Sequence, residues 1–224
     1  MIQRDQLREL VAEFFETQPE KISPGFPFTG ARMEGSVARY ALDAAIRRRF
    51  GVKCPAVYEA RTYGELEAGL CGASPDDNGD GHQAQSSVPA SAIDFGPMTP
   101  LGCGIDIELV ANLPEAGDYW EHEFYRTWFT PAEIAYCIMQ ENPAVHFAAR
   151  WCAKEALKKC DARFLETDMS EIEVLRDDIG RITLARRNGS GTKASVLPYA
   201  VSISHTPLLA AAVVVRAARG SVNE

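Results

Sequence analysis

FAARWCAKEALKK, from Phe147 to Lys159, is the stretch from which the rest of the chain can be read. It lacks Gly and Pro and is rich in Ala, Leu, Lys and Glu, which predicts a helix. On a helix Ala148, Cys152, Glu155 and Lys159 share one face, and Phe147 with Trp151 begins an adjoining apolar stripe. Glu155 and Lys159, one turn apart beside small residues, admit two readings. They form either a buried charged site or an ordinary surface pair worth about 0.2–0.5 kcal/mol. The helix alone leaves both open.

Upstream, Gly102–Val110 reads GCGIDIELV. Ile105, Ile107 and Leu109 alternate with Asp106 and Glu108, so a strand puts both carboxylates on one face. Beside Gly102 and Gly104 the two acids are either a seat for a hard divalent cation, for which oxygen ligands suit magnesium, or the wet face of an amphipathic strand. Aromatic residues crowd 119–129. In Phe129-Thr130-Pro131-Ala132-Glu133, Thr130 is an N-cap, Pro131 takes the first helical position and Glu133 closes a capping box. Downstream, Ile172–Leu175 and Arg181–Leu184 flank a glycine turn and read as a β-hairpin. Strands at Tyr199–Ser204 and Leu208–Val215 follow, and the Ala/Val content of the second implies burial on both faces. His205, between them, is the one histidine whose context points to a site; His82 reads as solvated, and His122 and His146 as packing or cap residues.

The N-terminal part differs in kind. Helical spacing of Leu7, Leu10, Val11, Phe14 and Phe15 predicts a helix over residues 3–17, and a second helix over Ser36–Phe50 ends at Gly51. Thr62 and Glu65 open another helix with a capping box. This order resembles an acyl or peptidyl carrier protein domain over residues 1–72. Such domains place an Asp-Ser-Leu triplet at the start of their second helix, and the serine carries phosphopantetheine. Here Gly35-Ser36-Val37 occupies that place, so Ser36 is either a phosphopantetheine attachment site or only a helix cap. Residues 73–97 are rich in Gly, Ser, Asp, Asn, Gln and Pro and read as a flexible linker. Residues 98–224 form the second domain.

The chain of 224 residues is 46% hydrophobic and 24% charged, as in an ordinary soluble protein, and its net charge of -8 argues against nucleic-acid binding. Its scattered cysteines show no zinc-ligand spacing and suggest a reduced, cytoplasmic protein. The acid-bearing N-terminus is unlike a signal peptide, and no apolar run reaches the ~20 residues needed to span a membrane.

GIDIE, WCAKEALKK and SISHT, in this order, resemble the 4'-phosphopantetheinyl transferase superfamily, over most of residues 98–224. The resemblance implies an α+β fold, with helices packed on a mainly antiparallel sheet. It implies transfer of the 4'-phosphopantetheine arm of coenzyme A to a carrier-protein serine, with magnesium, releasing 3',5'-ADP. Asp106, Glu108 and Glu155 match the metal ligands and Glu155 the base. The metal and Lys159 would keep Glu155 ionised. Lys159 matches a diphosphate contact, as does Lys154 if it does not pack inside, and Ser204 with His205 matches coenzyme A phosphate contacts. Two departures stand out: Glu108 follows Asp106 by two residues where the short, holo-acyl-carrier-protein synthase branch carries GxDxxE, and Asn112 stands near an expected arginine. A single catalytic half nevertheless implies that branch's homotrimer, with His205 facing the next subunit's metal site. The competing readings are a silent module that binds coenzyme A or a carrier, and a magnesium-dependent hydrolase of nucleotide pyrophosphates.

Overall fold

The computed structural model describes residues 2–29, 33, 36–71, 102–187 and 194–216. The expected linker at 73–97 and the residues Glu34 and Gly35 lie outside these. The helical unit comprises α1 (Arg4–Phe14), α2 (Ser36–Phe50), a short α3 (Ala56–Glu59) and α4 (Tyr63–Cys71). Its core is Leu7, Val11, Leu42, Ile46, Val57 and Leu66, all fully buried. The first helix stops at Phe14, short of expectation, because Glu16 turns to φ 51°. Gly51 ends α2 at φ 70°, a left-handed conformation that costs glycine little.

The second unit is α+β. Strand β1 (Gly102–Leu109) is followed by α5 (Glu123–Trp128), α6 (Pro131–Ile138) and the 18-residue α7 (Pro143–Cys160). Then come β2 (Ile172–Arg176), β3 (Ile182–Arg187), β4 (Ala194–Val196), β5 (Ala200–His205) and β6 (Leu209–Arg216). Two antiparallel sheets result, ordered β1-β6-β5 and β2-β3-β4. The expected hairpin is β2–β3, and β4, too short to read from periodicity, adds its third strand. Helix α7 lies across the first sheet with thirteen residues buried, among them Phe147, Trp151 and Leu157. Thr130 and Glu133 form the predicted capping box at the start of α6.

One expectation fails at β6. Its inward residues Ala210, Ala212 and Val214 are buried, but Leu209 is exposed and Ala211 and Val213 are half-covered, so one face of the sheet is open. Among the described residues no helix is long and apolar enough to cross a membrane.

Helix α2 belongs to two cores. Leu42 and Ile46 pack within the helical unit, whereas Val37 and Ala44 join the core built on α7. The contact is anchored by polar groups as well. Trp128 Nε1 donates to the Tyr40 carbonyl at 3.0 Å, and Trp151 Nε1 to Ser36 Oγ at 3.3 Å. The Arg47 guanidinium lies 4.4 Å from the Trp128 ring centre, Arg48 pairs with Glu123, and Arg47 and Lys53 pair with Asp168. The helical unit thus covers part of its neighbour.

Candidate active site

Helix α7 approaches β1 closely enough that glycine is required on the strand. A Cβ on Gly104 would fall 2.1 Å from the Ala156 carbonyl oxygen, and one on Gly102 would fall 2.9 Å from that of Cys160. This contact brings the strand acids against the helix. Asp106 and Glu108 point inward and are 7% and 6% exposed, while Ile105 and Ile107 point outward at 59% and 61%. The strand is therefore the reverse of an amphipathic strand with a wet acidic face.

Lys159 Nζ, on the last turn of α7, donates to Asp106 Oδ1 at 2.7 Å. Asn112 Nδ2 and the Leu109 amide donate to Glu108 Oε1 at 2.6 and 3.1 Å. Glu155 is buried on α7. Burial, and then the Asp106 charge, push its pKa up to about 7 against the opposing pull of Lys158, Lys159 and Tyr40. Lys159 lowers the Glu155 pKa in the expected direction, but without a cation it does not offset burial. Glu108 is likewise raised by burial, opposed by its bonds from Asn112 and Leu109.

Asp106 Oδ2 and Glu155 Oε1 are buried without hydrogen-bond partners. Unsatisfied buried carboxylate oxygens are costly and call for a cation or proton. Together with Glu108 they offer only oxygen donors, which suits magnesium. As they stand, no three His, Cys, Asp or Glu side chains among the described residues gather closely enough to hold a metal. Lys159 and Asn112 already occupy one oxygen each of the strand acids.

Lys154 does not join this site. Its ammonium is fully buried and donates to Glu133 Oε2 at 2.7 Å and to the Trp128 and Met169 carbonyls at 2.9 and 3.0 Å. An ammonium has three protons, and all three are used. The expectation that Lys154 binds coenzyme A is therefore corrected; it packs inside the domain.

Ser204 and His205 lie on opposite faces of β5. His205 is in register with Ala210 and hence Glu108, and Ser204 with Ala211 and hence Ile107. The exposed His205 ring sits 5.0 Å from His146, at the N-terminal end of α7. His146 and Glu155 are separated along that helix by roughly 13 Å at ~1.5 Å per residue. Within one chain Asp106 thus meets Lys159 and acts on Glu155, Glu108 lies two residues further along the same strand face, and Ser204 and His205 lie apart from Glu155. Sequence reading missed two neighbours of Glu155: Lys158, and Tyr40 from the helical unit. Lys158 has a local signal, lying three residues beyond Glu155 on the same helix; Tyr40 reads only as an apolar position of α2.

Residues 102–210 match a family model described as the 4'-phosphopantetheinyl transferase superfamily. The holo-[acyl-carrier-protein] synthase of Syntrophus aciditrophicus is 34% identical over 119 residues, covering 51% of this chain and 93% of that protein. The fatty acid synthase subunit alpha of Candida parapsilosis is 35% identical over 118 residues, 50% of this chain and 6% of that one. A solved holo-(acyl-carrier-protein) synthase from Bacillus anthracis, in complex with CoA (3',5'-ADP), has a TM-score of 0.38 and 26% identity, covering 51% of this chain and 93% of its own. With nearly the whole length of the Syntrophus enzyme matched at this identity, the chain belongs to the 4'-phosphopantetheinyl transferase superfamily and is an enzyme of its holo-[acyl-carrier-protein] synthase kind.

Proposed function

We propose that this protein transfers the 4'-phosphopantetheine arm of coenzyme A to a serine hydroxyl of an acyl or peptidyl carrier protein, with magnesium, releasing 3',5'-ADP. The observation that carries the magnesium reading is the pair of buried, unpartnered oxygens, Asp106 Oδ2 and Glu155 Oε1, next to Lys159. Asp106, Glu108 and Glu155 would hold the ion, which supplies charge neutralisation for the diphosphate. Glu155 accepts the proton of the incoming serine, whose oxygen forms a bond to the pantetheine-bearing phosphorus as the bond to the ADP oxygen breaks. Lys159 is half exposed beside Asp106 and supports the leaving diphosphate oxygen.

The active unit in this reading is a homotrimer. The open sheet face carries Ile105, Ile107, Leu109 and Leu209, a surface that another copy of the chain would cover. Ser204 and His205, remote from Glu155 in their own chain, would then serve coenzyme A phosphates at a neighbour's site. The helical unit is read as carrier-like, with Ser36 as its attachment serine. Mass spectrometry after incubation with coenzyme A, Mg2+ and a panel of apo carrier proteins tests the proposal. A phosphopantetheine-sized gain on a carrier is expected; no gain on any carrier would leave the silent binding module. A gain on the chain itself, lost in Ser36→Ala, is the expected outcome for Ser36.

A further inference from the structure

A cavity of about 440 Å³ lies where the two units of the chain meet. Tyr40, Pro55 and Tyr58 of the helical unit form one wall, and Lys158, Leu165 and Thr167 form the other. Its volume is within the range of about 300–1,000 Å³ usual for sites that hold small molecules. Contacts across the junction fix the walls. The Tyr40 ring packs edge-on against Trp128 and Trp151, with centroids 5.0 and 4.8 Å away, and against Tyr58 at 4.8 Å.

The lining defines the ligand. Arg47, Lys53 and Lys158 bring three cations, and Glu59, Glu166 and Asp168 bring three carboxylates, so the charges balance. Asp168 already engages both Arg47 and Lys53. A phosphate would meet as many carboxylates as cations here, whereas an uncharged chain of amides and methyl groups meets no such penalty. The two phenol rings, Pro55 and Leu165 offer it apolar surface. Lys158 Nζ donates to Tyr40 Oη at 3.3 Å and to the Leu165 carbonyl at 3.2 Å, which leaves the third ammonium proton for an amide carbonyl. The cavity also starts one residue from the acidic gap, because Lys158 precedes Lys159, the donor to Asp106.

We infer that this cavity receives the pantetheine arm of coenzyme A, so that the helical unit supplies one wall of the substrate site. The arm is uncharged and carries two amides, a hydroxyl, a pair of methyl groups and a thiol. With the diphosphate at Lys159, the arm has this cavity beside it. The inference rests on the transfer reaction proposed above and adds a subsite to it. The wall of Tyr40, Pro55 and Tyr58 lies outside residues 102–210, which carry the family match.

The test compares coenzyme A with 3',5'-ADP, which keeps the nucleotide and lacks the arm, by calorimetry on the full chain. Pro55→Trp and Leu165→Trp each put a large ring into the cavity from an exposed position, one on either wall. In both, the dissociation constant for coenzyme A is expected to rise about 10-fold, as crowding of a packed contact does, while that for 3',5'-ADP stays within about twofold. Unchanged coenzyme A affinity in the two variants would overturn the inference, and so would equal weakening of both ligands. The parent chain gives a second measurement that needs no substitution. Amide hydrogen exchange at residues 54–59 and 165–168 should slow with coenzyme A and not with 3',5'-ADP; equal protection by both, or none, would refute the subsite. A parent that binds neither ligand would refute the coenzyme A reaction itself, an outcome distinct from a parent that binds both and leaves the cavity unprotected.

Discussion

Lys159 Nζ and Asp106 Oδ1, 2.7 Å apart, tie the last turn of α7 to the middle of β1. The lysine side chain is half exposed while the aspartate is buried, so the pair sits at the mouth of the acidic gap. Such a half-exposed pair contributes about 0–1 kcal/mol to stability. Lys159→Met is therefore expected to leave the thermal midpoint within a few degrees while transfer falls about 10²–10³-fold. Parallel losses of stability and activity would assign Lys159 to the fold.

Lys154 behaves in the opposite way. Removing one partner of a fully buried ion pair costs about 3–5 kcal/mol, because Glu133 keeps its charge without compensation. Lys154→Met is expected to lower the thermal midpoint sharply and, below that temperature, to leave KM for coenzyme A unchanged. A raised KM with parental stability would return Lys154 to the substrate site.

Gly104→Ala tests the strand–helix contact. Its Cβ would overlap the Ala156 carbonyl, and overpacking of this kind costs about 1–3 kcal/mol. Because Asp106 lies two residues further on, the displacement is expected to remove activity as well. Full activity would mean that β1 can shift without disturbing the acids.

The open sheet face predicts assembly. Ile107→Asp places a charge at a position 61% exposed in the single chain, so folding should survive. Sedimentation is expected to show a trimer for the parent and a monomer for the variant, with transfer lost on dissociation. A parent that sediments as a monomer would refute the homotrimer.

Asp161 predicts acid lability. Bonds from Arg163, then Tyr199, hold its carboxyl well below the usual range, and Arg216 donates to it at 2.6 Å. The depressed pKa stabilises the fold above the ordinary aspartate value of about 3.9, and that stabilisation is lost as pH falls from there. In thermal melts, Asp161→Asn should be destabilised at pH 7 and approach the parent below pH 4. A constant gap across that range would show that titration of Asp161 is not the cause.

The local elements were legible in the sequence because their determinants are local. Ser36–Phe50, bounded by Gly51, the capping box of Thr130 and Glu133, and the β2–β3 hairpin each follow from spacing and propensity within a few residues. Period two likewise put Asp106 and Glu108 on one face. It could not say which face turned inward, since that depends on what packs across the strand. Helix α7 presses against the acidic side and leaves the isoleucines open, reversing the usual sense of an amphipathic strand. Lys154 and Lys159 look alike in the chain, and only their surroundings separate a saturated interior ammonium from one at the rim. Tyr40 reaches Lys158 across 118 positions of sequence, a distance over which no periodicity carries information. Sequence alone determined the elements and the chemistry they carry; the tertiary fold decided which groups are dry, which are paired and which meet, because burial and pairing belong to neighbours in space.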